Sequence, residues 1–133
     1  MREDRLSGVD ERARAFSESE RRVAEFLAAE GHQVVAVADQ VPTPCGRIGH
    51  RPDALVDGVA TDFVVLGQGG TSAAVAMALS RAARHADQAV VDARGSGLTA
   101  AAAQDGVRRF QAVAHSRRLA AWRLIGDAYD IRA

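Results

Sequence analysis

The sequence predicts one α/β domain, a mixed sheet flanked by helices, and three observations lead there. Apolar residues recur at helical spacing in three segments, and short apolar runs of strand length alternate with those segments. Between two of the short runs stands Asp57-Gly58, a strong hairpin signal. A sheet with helices on its faces is the natural way to bury such stripes, and 133 residues is an ordinary length for a single core.

In chain order, residues 1–16 are polar and rich in Arg and Glu, a lead-in or frayed helix before a domain over 17–133. Ser17 and Glu20 have capping-box spacing, and Val23, Ala24, Phe26 and Leu27 then form a helical apolar face that Gly31 ends. Val34 to Val37 reads as a short buried strand, followed by a loop containing Pro42, Pro44, Gly46 and Gly49. The stretch Asp53 to Leu66 holds the hairpin, and Phe63-Val64-Val65-Leu66 is apolar on both faces, as a central strand would be. Thr71 or Ser72 caps a helix to about Ala86, with Val75, Leu79 and Ala82 or Ala83 inward. Gln88 to Ala93 is a strand, Arg94 to Gly97 a loop, and Thr99 caps a helix to about His115. Ala121 to Ile125 is the last strand, stopped by Gly126-Asp127.

Composition excludes several classes. No apolar run approaches the roughly 20 residues that span a bilayer, and the charged N-terminus has no signal-peptide core. The expectation is a cytoplasmic protein, or a piece of something larger. Cys45 is the only cysteine, which rules out an internal disulfide and a cysteine zinc cluster. Net charge is zero, against indiscriminate nucleic-acid binding. Every one of the 17 basic residues is arginine. Guanidinium cannot replace an ammonium wherever a titratable point charge is required. Arg108, Arg109, Arg117, Arg118 and Arg123 gather toward the C-terminus, either as a solvated helix face or as a phosphate-contacting patch.

Three acids are placed to converge. Glu20 is in register with Phe16, Val23 and Leu27, Asp53 opens the first hairpin strand, and Asp62 precedes the apolar run of the second. Carboxylate oxygens from two strands and a helix suit magnesium, which would activate water against a phosphodiester. Each acid also has a plainer reading: Glu20 as the partner of the Ser17 cap, Asp53 as a turn residue after Pro52, Asp62 as a strand flank. The four histidines show no ligand spacing, and Phe110 and Trp122 read as core.

The run Glu20 to Val34, the hairpin Arg51-Pro52-Asp53-Ala54-Leu55-Val56-Asp57-Gly58, the strand Thr61-Asp62-Phe63-Val64-Val65-Leu66 and the loop Asp92 to Thr99 carry a resemblance. Together they resemble the PD-(D/E)XK-like nuclease toxins of contact-dependent growth inhibition systems, over about residues 17–131. The resemblance implies a restriction-endonuclease-like αβββαβ core and a metal-dependent tRNase, with Glu20, Asp53 and Asp62 as catalytic metal ligands and magnesium as cofactor. It also implies export within a larger protein, delivery to a target-cell cytoplasm and a cognate immunity protein. The family strand reads acid-aromatic-lysine, and here Val64 holds the lysine position.

Two functions follow as expectations. The first is a ribonuclease cutting tRNA, with Arg81 or Arg84 replacing the lysine's charge and Gln68 positioning water. Arg81, Arg84, Arg108, Arg109, Arg117 and Arg118 would contact the RNA. The second is a nuclease fold that has lost its chemistry and serves as an RNA- or protein-binding module.

Overall fold

The computed structural model describes residues 8–38, 51–113 and 119–133. The proline-containing loop, Cys45, His50, His115, Arg117 and Arg118 lie outside the described residues. The elements run β1 (Val9–Asp10), α1 (Glu18–Ala29), β2 (Val34–Ala36), β3 (Ala54–Val56), β4 (Val59–Val65), α2 (Ser72–Ala82), β5 (Gln88–Asp92), α3 (Ala100–Ala112), β6 (Ala121–Ile125) and β7 (Asp130–Arg132). The strands form one seven-stranded mixed sheet in sequential order. The α/β fold expected from the sequence is the fold observed, and α1 to β5 run in the order αβββαβ.

Local chemistry accounts for the element ends. Ser17 accepts from the Glu20 N–H while the Glu20 carboxylate accepts from the Ser17 N–H, so the capping box is complete. Thr71 and Thr99 cap α2 and α3 in the same way through their hydroxyls. Asp57 and Gly58 both take positive φ, the requirement of a two-residue turn whose twist matches its strands. β4 pairs antiparallel with β3 and parallel with β5, and β5 pairs parallel with β6, so β4 and β5 are interior strands.

The sheet separates two cores. On one face α1 places Val23, Ala24 and Leu27 against Val34, Ala54, Val56, Phe63 and Val90. On the other, α2 and α3 bring Val75, Leu79, Ala82, Ala103, Val107 and Phe110 onto Ala89, Val91 and Leu124. Strand alternation puts Phe63 on the α1 side and Val64 on the α2–α3 side, the division that positions the acids. Helices α2 and α3 meet at Gly106, where an added Cβ would lie 2.5 Å from the Val75 Cβ and 2.7 Å from the Ser72 carbonyl oxygen. No helix among the described residues is long and apolar enough to cross a membrane.

Three details differ from expectation. The segment read as a polar lead-in contributes β1, parallel to β2, and a buried Phe16. Helix α2 ends at Ala82, with His85 and Ala86 in the turn after it. A seventh strand, β7, follows the Gly126-Asp127 turn and pairs with β6.

Candidate functional site

The three acids come together where β3 and β4 leave the hairpin. The ladder pairs Ala54 with Thr61, and one step further it sets Asp53 opposite Asp62. Asp53 Oδ2 accepts from the Phe63 N–H at 2.9 Å, fixing the carboxylate along the start of β4's apolar run. Asp62 lies close enough to Asp53 for the two carboxyl groups to influence each other's ionisation. Glu20, in the first turn of α1, interacts electrostatically with Asp53. Both readings of Glu20 hold together, because one carboxylate completes the helix cap and also meets Asp53.

Two residues that local pattern did not mark complete the row. Arg14 lies beside Glu20 and Asp53. Its Nε donates to the Val37 carbonyl at 2.6 Å and its Nη1 to the Ala15 carbonyl at 3.2 Å and to Glu20 Oε1 at 3.0 Å. Its Nη2 donates to the Asp53 carbonyl at 3.0 Å and to Glu20 Oε2 at 3.5 Å, and lies 3.9 Å from Asp53 Oδ1. All five N–H donors of the guanidinium therefore have protein acceptors. At the opposite end, His85 Nε2 stands 2.8 Å from Asp62 Oδ2, with both side chains largely buried. The order is Arg14, Glu20, Asp53, Asp62, His85.

The electrostatics follow from burial and crowding. Burial raises Asp53 to about 6, and the charges of Asp62 and Glu20 push the same way against the Phe63 N–H. Burial also raises Asp62, opposed by His85. Burial would raise Glu20 as well, but the Arg14 and Ser17 donors outweigh it and hold that carboxyl below its ordinary value. The site thus keeps one acid ionised at its rim and two that resist ionisation inside.

An open pocket of about 260 Å³ faces this row, lined by Arg14, Glu20, Val37, Ala38, Arg51, Pro52 and Asp53. As donors for a divalent cation the carboxylates are chemically apt: they are hard oxygens, and a dication would relieve the crowding that raises Asp53. Magnesium needs only one or two carboxylates with retained waters, which Asp53 and Asp62 can supply. Among the described residues, however, no group of three or more His, Cys, Asp or Glu stands together as a ligand cluster. Glu20 is engaged by Arg14 and the cap.

The other expected residues lie elsewhere. Val64 points to the α2–α3 side and packs there half-buried. Arg81, Arg84 and Arg109 line a separate groove of about 240 Å³ between α2 and α3, with Met77, Phe110 and Val113. Arg108 pairs with Asp105 on the exposed face of α3. Gln68 is exposed and donates to the Gly95 carbonyl at 3.4 Å. The arginine against Glu20 and Asp53 is therefore Arg14, from a segment read as lead-in.

No curated protein and no solved structure matches the chain. One family does, the one described as the contact-dependent growth inhibition CdiA C-terminal domain, over residues 50–128. That span contains Asp53, Asp62, His85, α2, α3 and strands β3 to β6. The chain belongs to the contact-dependent growth inhibition CdiA C-terminal domain family and is a toxin domain of that family.

Proposed function

We propose that this toxin domain is a ribonuclease that cuts tRNA with magnesium, through Asp53 and Asp62 with Glu20 at the rim. The observation supporting this reading is the meeting of a half-buried carboxylate, Asp53, with a buried one, Asp62, directly opposite each other on a hairpin, with Asp53 lining an open pocket. Magnesium bound there would supply a Lewis acid for a phosphoryl oxygen and lower the pKa of a water. The chain's own groups have simpler tasks. The Phe63 N–H fixes Asp53, His85 holds Asp62, and Arg14 pins Glu20 and the Asp53 backbone. The protein would act in the cytoplasm of the target cell and be neutralised there by a cognate immunity protein.

The test is cleavage of total tRNA with magnesium by the wild type and by Asp53→Ala. Cleavage that needs both the metal and Asp53 is expected; none, or cleavage indifferent to the substitution, removes the reading.

A second reading, a nuclease fold retained for binding RNA or protein, is favoured by Val64. A valine half-buried against the α2–α3 core offers no charge to a reacting phosphate, and losing one such contact costs roughly 3–4 kcal/mol of barrier. Val64→Lys discriminates. The side chain would issue from the same strand face as Asp62, so an inert wild type with a cutting variant means that scaffold is intact and chemistry lost. A wild type that cuts well excludes this second reading.

A further inference from the structure

We infer that Arg51 is the residue through which the pocket grips a backbone phosphate of its nucleic-acid substrate. This deepens the ribonuclease reading and rests on it for the class of substrate.

Among the described residues the pocket is lined by two guanidinium groups, Arg14 and Arg51, and they differ in what they have left to give. Arg14 spends every N–H on Val37, Ala15, Glu20 and Asp53, so a phosphate could reach it only by breaking bonds that hold the acids in place. Arg51 is exposed and, among the described residues, makes no hydrogen bond or ion pair. Its fork of donors stays available, and that fork matches a phosphate with two parallel bonds.

Its location is set by the chain. Pro52 has a fixed φ and disfavours helical backbone at the residue before it, so Arg51 enters the site on an extended dipeptide two residues ahead of Asp53. The guanidinium is thereby tethered to the rim of the space that Asp53 and Glu20 face. A pocket of about 260 Å³ falls below the roughly 300–1,000 Å³ of sites that enclose a drug-sized ligand. It suits one phosphate and part of its sugar, with the rest of the strand outside. A phosphate brought near three carboxyl groups meets negative charge, and an unpaired arginine at the entrance offsets it. Arg81, Arg84 and Arg109 line a different groove.

The experiment uses a short single-stranded RNA in EDTA, where no magnesium is present to activate a water against it, titrated over a series of salt concentrations. Variants are Arg51→Ala, Arg51→Lys and, as an off-pocket control, Arg12→Ala, whose side chain is 90% exposed and paired with Asp10. Arg51→Ala should weaken binding about ten- to a hundredfold and lower the slope of log affinity against log salt by about one. Arg51→Lys should keep the slope while binding several-fold more weakly than wild type, and Arg12→Ala should match wild type. Melting curves of all variants should coincide, since neither arginine is buried. An Arg51→Ala protein with wild-type affinity and slope overturns the inference, as does a wild type that does not bind the probe. Binding that depends on Arg51 without any tRNA cleavage would retire the ribonuclease and leave the phosphate contact standing.

Discussion

Asp53→Asn keeps an oxygen to accept from the Phe63 N–H and removes a charge that the site resists. Burial and the neighbouring acids lift the Asp53 carboxyl from 3.8 to about 6. At about 1.4 kcal/mol per pKa unit the full shift corresponds to roughly 3 kcal/mol. The side chain is 28% exposed, and solvent screening brings the share acting on stability to about 1–2 kcal/mol. A raised carboxyl pKa means that the folded protein holds its proton longer than the unfolded chain does. The penalty is therefore absent below the unfolded value near 3.8, grows as pH rises, and is complete above about 6. Asp53→Asn should unfold about 1–2 kcal/mol harder at neutral pH, a rise of roughly 3–8 °C in Tm. That gain should shrink toward zero as pH falls to about 4. Urea unfolding of both proteins across this range measures it. A variant that is less stable at neutral pH, or whose gain does not change with pH, refutes the account of a crowded, desolvated Asp53.

Two further substitutions probe the scaffold. Gly106→Ala should destabilise by about 1–3 kcal/mol despite alanine's helix preference of about 1 kcal/mol, because its Cβ would meet Val75 where α2 and α3 touch; thermal melting reads the balance. Arg123 is 7% exposed, pairs with Glu30 and Asp130 and lies over the Phe26 ring, so Arg123→Ala should cost about 2–4 kcal/mol in urea unfolding. Glu30 and Asp130 both have lowered pKa values through Arg123, so the stability the pairs give is present above the unfolded carboxylate range and lost as pH falls through the depressed values. The difference between wild type and Arg123→Ala should accordingly narrow in acid.

The sequence made legible those elements whose signals are local. Thr71 with Val75, Leu79 and Ala82 states a capped, one-sided helix, and Asp57-Gly58 states a hairpin, since each depends on residues within a turn or two of one another. β1 and β7 have two and three residues, too few to show a period of two, and β7 reads Asp-Ile-Arg at the sheet's edge with no apolar run. The acids were legible because strand alternation and a hairpin fix which carboxylates can face each other. Arg14 and His85 were not. Arg14 reaches Glu20 across a helix start and Asp53 across 39 positions, and His85 meets Asp62 only because α2 stops at Ala82. The nearest hint to Arg14 was Phe16, apolar and in register with Val23, which implied that the chain just before α1 lies against the core.

The absence of lysine bears on the site through geometry as well as charge. A lysine at position 64 would extend from an interior strand toward the Asp62 side, bringing a mobile ammonium to the acids from within the sheet. Among the described residues, the basic side chains near them arrive from the periphery instead: Arg14 from the segment before α1, His85 from the turn after α2, and Arg51 from the approach to β3. Arg14 is so fully bonded that it acts as a brace, holding Glu20 ionised and the Asp53 backbone in place. Being always protonated, it cannot take a proton from water either. Charge that must move toward a substrate is left to Arg51, the pocket guanidinium that makes no hydrogen bond or ion pair among the described residues. The division predicts distinct failures: losing the brace should disturb the acids and the fold together, while losing Arg51 should weaken the grip on phosphate and leave stability unchanged.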